Sequence, residues 1–262
     1  MKLLTKILFI CGVGILLSGC SLKGKTSDME EEPKPKLIET ADLPFVKLIP
    51  RSDRHRLDIG IYNIKAPRVD YQILYTAVIK GNSVERGAGG RDIKLTGNEL
   101  VRNGDKAVVF GSESSGKFKY DEGVENGSIE ITYRNASGKS TGRAQTDWHL
   151  QDSKETNEFT SHDSKFKFVP SGKTKGIYLT MHTLGLPMAL DGKVISGPYL
   201  ISSSESVKQS GAISFKLDGT QNTKLEMYDE SSKSWKEIAS SQSGNTLTAS
   251  ISSLSVFAVV AK

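Results

Sequence analysis

Residues 129–133 read Ile-Glu-Ile-Thr-Tyr, and this alternation of apolar and polar side chains decides the fold class. Successive side chains of a β-strand point to opposite faces, so Ile129, Ile131 and Tyr133 share one face. The pattern predicts a half-buried strand. The last apolar run, Val-Phe-Ala-Val-Val at 256–260, is nearly continuous and predicts a strand with both faces covered.

The same alternation recurs along the chain after about residue 55, and no segment carries apolar residues at helical spacing over three turns. Turn dipeptides such as Asn103-Gly104 and Asn126-Gly127 separate the apolar runs, because they supply residues with positive φ. Many short strands separated by turn signals are typical of sandwiches and barrels. The chain is therefore predicted to be all-β. Further strands are predicted at 57–64, 71–80, 92–95 and 107–110, and around Leu179, Phe215 and Ala249.

The hydrophilic stretch 151–158 is the clearest division of this pattern. It predicts two β-sandwich domains of the Ig-like or a related type, an N-terminal one at 55–155 and a C-terminal one at 160–262. Residues 20–54 carry little apolar periodicity and include Glu-Glu-Glu-Pro-Lys-Pro-Lys at 30–36. Because proline fixes φ and resists both helix and sheet, this segment is predicted to be a flexible, extended linker.

The N-terminus carries the chain's two cysteines, Cys11 and Cys20. Lys2 and Lys6 precede an apolar run at 7–17. This run is too short to span a hydrocarbon layer of about 30 Å and is typical of a secretory signal. The sequence Leu-Ser-Gly-Cys at 17–20 then resembles the lipobox of bacterial lipoproteins. This resemblance implies a signal peptide at 1–19, removal of Cys11 with it, and acylation of Cys20, for example by palmitate, as the new N-terminus.

An acylated Cys20 implies a protein that is lipid-anchored in the cell membrane or the outer membrane and faces outside the cytoplasm. Each buried CH₂ of an acyl chain adds about 0.8 kcal/mol, so the lipid bilayer is the expected partner. Removal of Lys2 and Lys6 lowers the net charge from +5 to +3, and no basic run is interleaved with stacking aromatics. Nucleic-acid binding is therefore not predicted. The densest basic segment, 51–56, is predicted to be a solvated segment that tolerates anionic headgroups or wall polymers.

The C-terminal third carries an ordered series of short motifs: Phe-Lys-Phe-Val-Pro-Ser-Gly at 166–172, Ser-Gly-Pro-Tyr-Leu-Ile at 196–201, Ala-Ile-Ser-Phe at 212–215, Leu-Glu-Met-Tyr-Asp-Glu at 225–230, Trp-Lys-Glu-Ile at 235–238 and Ser-Leu-Ser-Val-Phe-Ala-Val-Val at 253–260. The series resembles the ZU-type β-sandwich module of ankyrins and netrin receptors, which also occurs in bacterial surface proteins. The resemblance covers about residues 165–262 and departs from the bacterial pattern at Leu254, where Phe is usual. It implies a β-sandwich with a binding or spacer role and no catalytic residues.

Three histidines with nearby carboxylates form the strongest catalytic candidate. Asp147 and His149 share a strand face, His162 follows the predicted domain boundary, and His182 lies on a later strand. Neutral imidazole and carboxylate ligate divalent ions such as Zn²⁺, so this set predicts a metal site and, as one alternative function, a secreted metal-dependent hydrolase. No His-Glu-x-x-His spacing accompanies the set, and no Gly-x-Ser-x-Gly elbow occurs between a strand and a helix.

Two further residues are candidate ligand contacts. Trp148 lies among polar residues, and this placement predicts a sugar-stacking platform, which would make the chain a carbohydrate-binding module. The other interpretation is a half-buried Trp that covers a domain edge. Arg91 ends the glycine-rich segment 87–91, which lacks the Walker spacing and predicts a hairpin or loop that contacts a ligand.

The preferred prediction is a membrane-anchored surface lipoprotein that acts as a non-catalytic binding, adhesion or structural module of the cell envelope. No cofactor is predicted. An envelope polysaccharide or protein is the expected partner besides the bilayer.

Overall fold

The computed structural model describes residues 35–206, 208–219 and 222–262, and this part of the chain contains twenty β-strands, two short 3₁₀ turns and no α-helix. The prediction of an all-β fold is confirmed. The 3₁₀ turns are Thr40–Asp42 and Gly104–Lys106. The strands are β1 Phe45–Pro50, β2 Arg56–Tyr62, β3 Arg68–Ile79, β4 Asn82–Lys94, β5 Leu100–Arg102, β6 Val108–Val109, β7 Gly111–Ser114, β8 Lys117–Tyr120, β9 Asn126–Arg134, β10 Ser140–Asp152, β11 Phe159–Thr160, β12 Phe166–Pro170, β13 Ile177–His182, β14 Val194–Ser203, β15 Gly211–Lys216, β16 Thr223–Asp229, β17 Ser234–Ile238, β18 Ser240–Ser243, β19 Thr246–Ile251 and β20 Val256–Ala261.

Antiparallel pairing joins these strands into four sheets. The largest has nine strands in the order β17-β16-β20-β14-β13-β10-β9-β3-β4. A four-stranded sheet consists of β1, β2 and β5 with β6 beside β2, and a five-stranded sheet has the order β11-β12-β15-β19-β18. β7 and β8 form a separate two-stranded hairpin.

The nine-stranded sheet carries a hydrophobic core on each of its faces. Strand β13 shows this arrangement, because Leu179 and Met181 belong to one core while Tyr178, which precedes Leu179 in sequence, belongs to the other. The first core also takes apolar residues from β1 and β2, and the second takes them from β12, β15 and β19. The smaller sheets therefore cover opposite faces of one shared sheet.

This sharing changes the predicted domain organisation. Strands from both predicted domains, 55–155 and 160–262, lie in the nine-stranded sheet, where β10 pairs directly with β13. Contacts across the stretch 151–158 are so extensive that Pro35–Lys262 forms one compact unit. The structure thus has two cores but shows no separate sandwich domains divided at 155–160, because backbone hydrogen bonds cross that position.

The predicted linker at 20–54 is too long. Strand β1 lies inside that range, and its residues Val46 and Leu48 are fully buried in the first core. Residues 36–38 also pair with β10, since the N–H of Ile38 donates to the carbonyl oxygen of Arg143 over 2.9 Å. The predicted signal peptide at 1–19 and Cys20 lie outside the described residues.

The Asn126-Gly127 dipeptide does not form the predicted turn but begins strand β9. A Cβ at Gly127 would lie 2.2 Å from the ring of Trp148 and 2.3 Å from the carbonyl oxygen of Leu74. Glycine is required there by close approach and not by a positive φ. At the other predicted turn, Gly104 does adopt a positive φ of 60°.

Candidate functional site

Trp148 is not available as a sugar-stacking platform, because its side chain is completely buried in the first core. Its ring stacks on Phe110 with the ring centres 5.8 Å apart. The alternation of β10 turns Trp148 to the core face and places Asp147 and His149 on the opposite, polar face. The polar residues next to Trp148 in sequence lie on the other face of the strand. The prediction that Trp148 is a sugar-stacking platform is therefore wrong.

Asp147 and His162 do come together. The Nδ1 atom of His162 lies 3.7 Å from Oδ2 of Asp147, and both side chains are about half exposed beside a shallow polar groove that also contains Glu85. His149, on the same face of β10, places its Nδ1 atom 2.8 Å from the carbonyl oxygen of Thr160. Burial lowers the pKa of His149, which favours the neutral ring.

His182 lines a different pocket, with Asp163 and Tyr199. Its Nε2 atom lies 2.9 Å from the carbonyl oxygen of Gly197, and its ring meets the ring of Tyr199 edge-on with the centres 5.2 Å apart. The Tyr199 hydroxyl donates to Asp163, which also accepts from Ser161. Burial and the Asp163 carboxylate raise the pKa of Tyr199, and burial lowers the pKa of His182.

The predicted set of Asp147, His149, His162 and His182 is divided. Asp147 and His162 line the polar groove, His149 is bonded to the carbonyl oxygen of Thr160, and His182 lines the pocket with Tyr199. Throughout residues 35–206, 208–219 and 222–262, no group of three or more His, Cys, Asp or Glu side chains is arranged to hold a metal ion.

Arg91 lies on β4, so the predicted glycine-rich hairpin or loop is one strand of the β3–β4 hairpin at the edge of the nine-stranded sheet and not a loop. Its side chain is exposed. Arg91 belongs to a β-bulge, since Arg91 and Asp92 together oppose Asp70 of β3, and Asp92 has a φ of 54°. Neighbouring arginines are paired: Arg134 binds Asp70 at 2.6 Å and Arg68 binds Asp92 at 2.6 Å.

A surface that combines rings and cations is formed by His55, Arg56, Phe118 and Tyr120, and we call it the aromatic–cationic surface. The rings of His55 and Tyr120 stack with their centres 4.3 Å apart and their planes at 8°. The Phe118 ring lies parallel to Tyr120 within 4°, at 5.9 Å. Phe118 is 43% exposed, which is unusual for so large an apolar side chain.

Arg56 connects the two rings of the β7–β8 hairpin. Its guanidinium carbon lies 5.5 Å from the ring centre of Phe118 and 5.8 Å from that of Tyr120, within the range of cation–π attraction. Its Nη2 atom donates to the Tyr120 hydroxyl over 2.9 Å. Its Nη1 atom lies 3.4 Å from Oδ2 of Asp53, so the cation is held beside exposed ring surface by both the Tyr120 hydroxyl and a carboxylate.

The local sequence explains why the hairpin forms. Ser115 and Gly116 have positive φ values of 52° and 75°, which suits a two-residue turn. At the base, the Gly111 N–H donates to the Tyr75 hydroxyl over 3.0 Å, and this hydroxyl donates to Asp121 over 2.8 Å. Asp121 also accepts from Arg86 over 3.1 Å. Burial and this carboxylate raise the pKa of Tyr75 to about 12, so the phenol stays a donor.

Sequence reasoning missed the aromatic–cationic surface, although two signals pointed to it. Lys-Phe-Lys-Tyr at 117–120 alternates after the turn dipeptide Ser115-Gly116, and the basic segment 51–56 is the densest in the chain. Nothing in the sequence shows that these segments, about sixty residues apart, meet in the fold.

The chain has no matching protein family, and neither a curated protein nor a solved structure matches it. The lipobox and ZU-type resemblances thus stay predictions. Among the described residues, no helix is both long and apolar enough to cross a membrane.

Proposed function

We propose that this chain is a lipid-anchored, non-catalytic binding module of the cell envelope, and that its aromatic–cationic surface binds an acidic polysaccharide. The anchor rests on the sequence Leu-Ser-Gly-Cys at 17–20, which predicts acylation at Cys20 and exposure outside the cytoplasm. The binding role rests on one observation, the exposed ring of Phe118 beside the guanidinium of Arg56.

Each part of the surface suits one part of an acidic sugar. The apolar face of a sugar ring buries on an aromatic ring, and the exposed fraction of Phe118 provides the free area. A planar guanidinium binds carboxylate or phosphate oxygens in a fixed fork geometry, and a ligand carboxylate would replace Asp53 on the guanidinium of Arg56 next to that ring. Together they select a ligand that has both an apolar face and a negative charge.

The charge of the β7–β8 hairpin favours the same ligand. Lys117 and Lys119 are exposed on β8, and in the part of the chain that the structure describes neither lies within ion-pair distance of a carboxylate. Glu113, opposite Phe118 across the hairpin, is the one acidic side chain of residues 111–120. Its removal is therefore expected to strengthen binding.

The hydrolase alternative has no comparable observation in its favour, because the described histidines are divided and His149 and His182 are hydrogen-bonded to backbone carbonyls. The carbohydrate-binding alternative is retained with a different platform, since Trp148 is buried and Phe118 is exposed.

The binding part is tested by titrating the full chain with polygalacturonate, with neutral dextran as the uncharged probe. Phe118→Ala is expected to weaken polygalacturonate binding about tenfold, because full burial of a Phe side chain is worth about 1.5–3 kcal/mol. Arg56→Gln is expected to weaken it similarly and to flatten its salt dependence, whereas Glu113→Gln strengthens it.

Val101→Ala is the matched control, since Val101 is 36% exposed on a different sheet and should leave binding unchanged. Equal binding by Phe118→Ala and the parent chain, equal binding of dextran, or tighter binding of a single-stranded oligonucleotide would each contradict the polysaccharide proposal. The anchor is tested separately: Cys20→Ala should release the chain from the membrane fraction, and continued retention of a signal-cleaved chain would contradict acylation.

A further inference from the structure

Strand β4 is a long, unpaired edge of the nine-stranded sheet. It runs over thirteen residues, and among the strands of the described residues it pairs with β3 alone. Within the described residues, no backbone hydrogen bond joins 83–91 to any strand other than β3. Such an edge presents free N–H and C=O groups that can pair with a further strand.

The hairpin turn determines which groups are free. Lys80 and Gly81 form a two-residue turn, with φ values of 52° and 80°, and the closing pair is Ile79 with Asn82. The closing pair of such a turn is hydrogen-bonded, so Asn82 and every second residue after it direct their backbone groups toward β3. The residues between them direct theirs outward: Ser83, Glu85, Gly87 and Gly89.

We propose that β4 is the self-association edge of this protein, and that a second copy pairs with it antiparallel with Ala88 opposite Ala88. This register places Glu85 of each copy opposite Arg91 of the other, so the interface contains two attractive charge pairs on one face. Opposite charges that face each other directly across an antiparallel pair are within interaction distance and stabilise it.

Neighbouring registers lack this complementarity. Moving the centre by one residue in either direction keeps the hydrogen-bonding pattern but places Glu85 opposite Gly89 or Ile93. A centre that lies between two residues would place outward-directed backbone groups opposite inward-directed ones, and the centre between Ala88 and Gly89 would also set Arg91 against Arg86. Charge therefore selects one register.

The composition of β4 also suits self-pairing. Gly87 and Gly89 expose backbone without side chains that would hold a second strand away, and no proline interrupts the strand. The bulge formed by Arg91 and Asp92 ends the regular segment after Gly90.

Sedimentation of the full chain over a concentration series tests the proposal. The parent chain is expected to dimerise, and Glu85→Arg or Arg91→Glu alone should weaken the dimer about tenfold or more, since each change turns two attractive pairs into two repulsive ones. An equimolar mixture of the two variants should restore the dimer, because the arginine introduced at position 85 of one chain then faces the glutamate introduced at position 91 of the other.

Glu99→Arg and Lys139→Glu are the matched controls, because they make the same changes of net charge outside β4 and should leave the dimer intact. A monomer at every concentration, or a dimer that both single variants retain, would overturn the proposal. So would failure of the mixed variants to associate.

A cross-link provides a second measurement that does not depend on charge. Ala88 would face its own copy in a non-hydrogen-bonded pair with the Cα atoms about 4.5 Å apart, a separation that a disulfide can bridge. In the full chain with Cys11 and Cys20 replaced by Ser, Ala88→Cys should form a disulfide-linked dimer, and Ser83→Cys should not. The reverse result would contradict the register.

Discussion

Replacing Trp148 tests whether this side chain supports the fold or contacts a ligand. Its side chain is fully buried, stacks on Phe110 and covers Gly127, where no Cβ fits. Truncation of a buried Trp to Ala costs about 3–5 kcal/mol, because the removed atoms lose their contacts and a cavity remains. Trp148→Ala is therefore expected to lower the free energy of unfolding by about 4 kcal/mol.

Trp148→Phe gives a sharper comparison. The Nε1 atom of Trp148 is buried and has no hydrogen-bond partner among the described residues. A buried unsatisfied donor costs about 1–3 kcal/mol, so the smaller Phe ring loses packing but removes that cost. The two effects oppose each other, and the net change is expected to stay within about 1 kcal/mol.

Urea denaturation followed by far-ultraviolet circular dichroism measures both variants. Trp235→Ala is the control, because Trp235 is partly exposed and donates to the carbonyl oxygen of Met188 over 3.2 Å, and it should cost about half as much as Trp148→Ala or less. If Trp148→Ala left the urea midpoint unchanged while abolishing polysaccharide binding, the buried placement and the reasoning from it would be refuted.

Three further measurements test other parts of the structure. Burial lowers the pKa of His149 and His182, so the unfolded chain binds protons more readily than the folded chain below about pH 6.5. The free energy of unfolding should therefore fall as the pH falls from about 7 to 5. His182→Gln should reduce this pH dependence of the urea midpoint, and an unchanged dependence would contradict the assignment. Asp70→Asn should cost about 2 kcal/mol because it breaks a largely buried pair with Arg134, whereas Asp92→Asn, which breaks a more exposed pair with Arg68, should cost less than about 1 kcal/mol; equal losses in urea denaturation would contradict this assignment. Scanning calorimetry should show one cooperative transition, because the two cores share one sheet, and two resolved transitions would instead favour two domains.

The all-β class follows from side-chain alternation alone. The pattern at 129–133 places Ile129 and Ile131 in the core and leaves Glu130 outside it, as the period of a strand requires. Continuous apolar sequence at 256–260 likewise corresponds to β20, which is buried on both faces. Local sequence is sufficient to predict a strand here, because the polarity of each side chain depends on the face of the sheet to which it points.

Pairing between distant strands is not visible in local sequence. The hydrophilic stretch 151–158 resembles a domain boundary, yet β10 and β13 pair across it because their inner faces contribute to the same core. The same holds for Gly127. Its sequence predicts a turn, but glycine is required there because the ring of Trp148 leaves no room for a Cβ atom. A single sequence carries no record of either contact.

The candidate sites show the same limit. Asp147 and His162 meet as the sequence suggested, since both lie on polar segments that the fold brings together. The divided histidines and the buried Trp148 differ from expectation because the ordinary partners of these groups, backbone carbonyls and apolar rings, are supplied by other parts of the chain. The exposure of Phe118 is not predictable from the alternation at 117–120, because that pattern does not show whether the apolar face of the hairpin is covered.

The aromatic–cationic surface is held in place by the core beneath it. A two-stranded hairpin such as β7–β8 is marginally stable by itself in water. Here the buried Asp121 accepts from Tyr75 and Arg86, and the Tyr75 hydroxyl in turn accepts from Gly111 at the base of the hairpin. A surface that is fixed before binding loses less side-chain and loop freedom when a ligand arrives, and so retains more of the contact energy as affinity. It follows that Asp121→Asn should both weaken polygalacturonate binding and lower the free energy of unfolding, whereas Phe118→Ala should weaken binding alone. If Asp121→Asn lowered stability but left binding unchanged, the hairpin would be ordered by something other than this network.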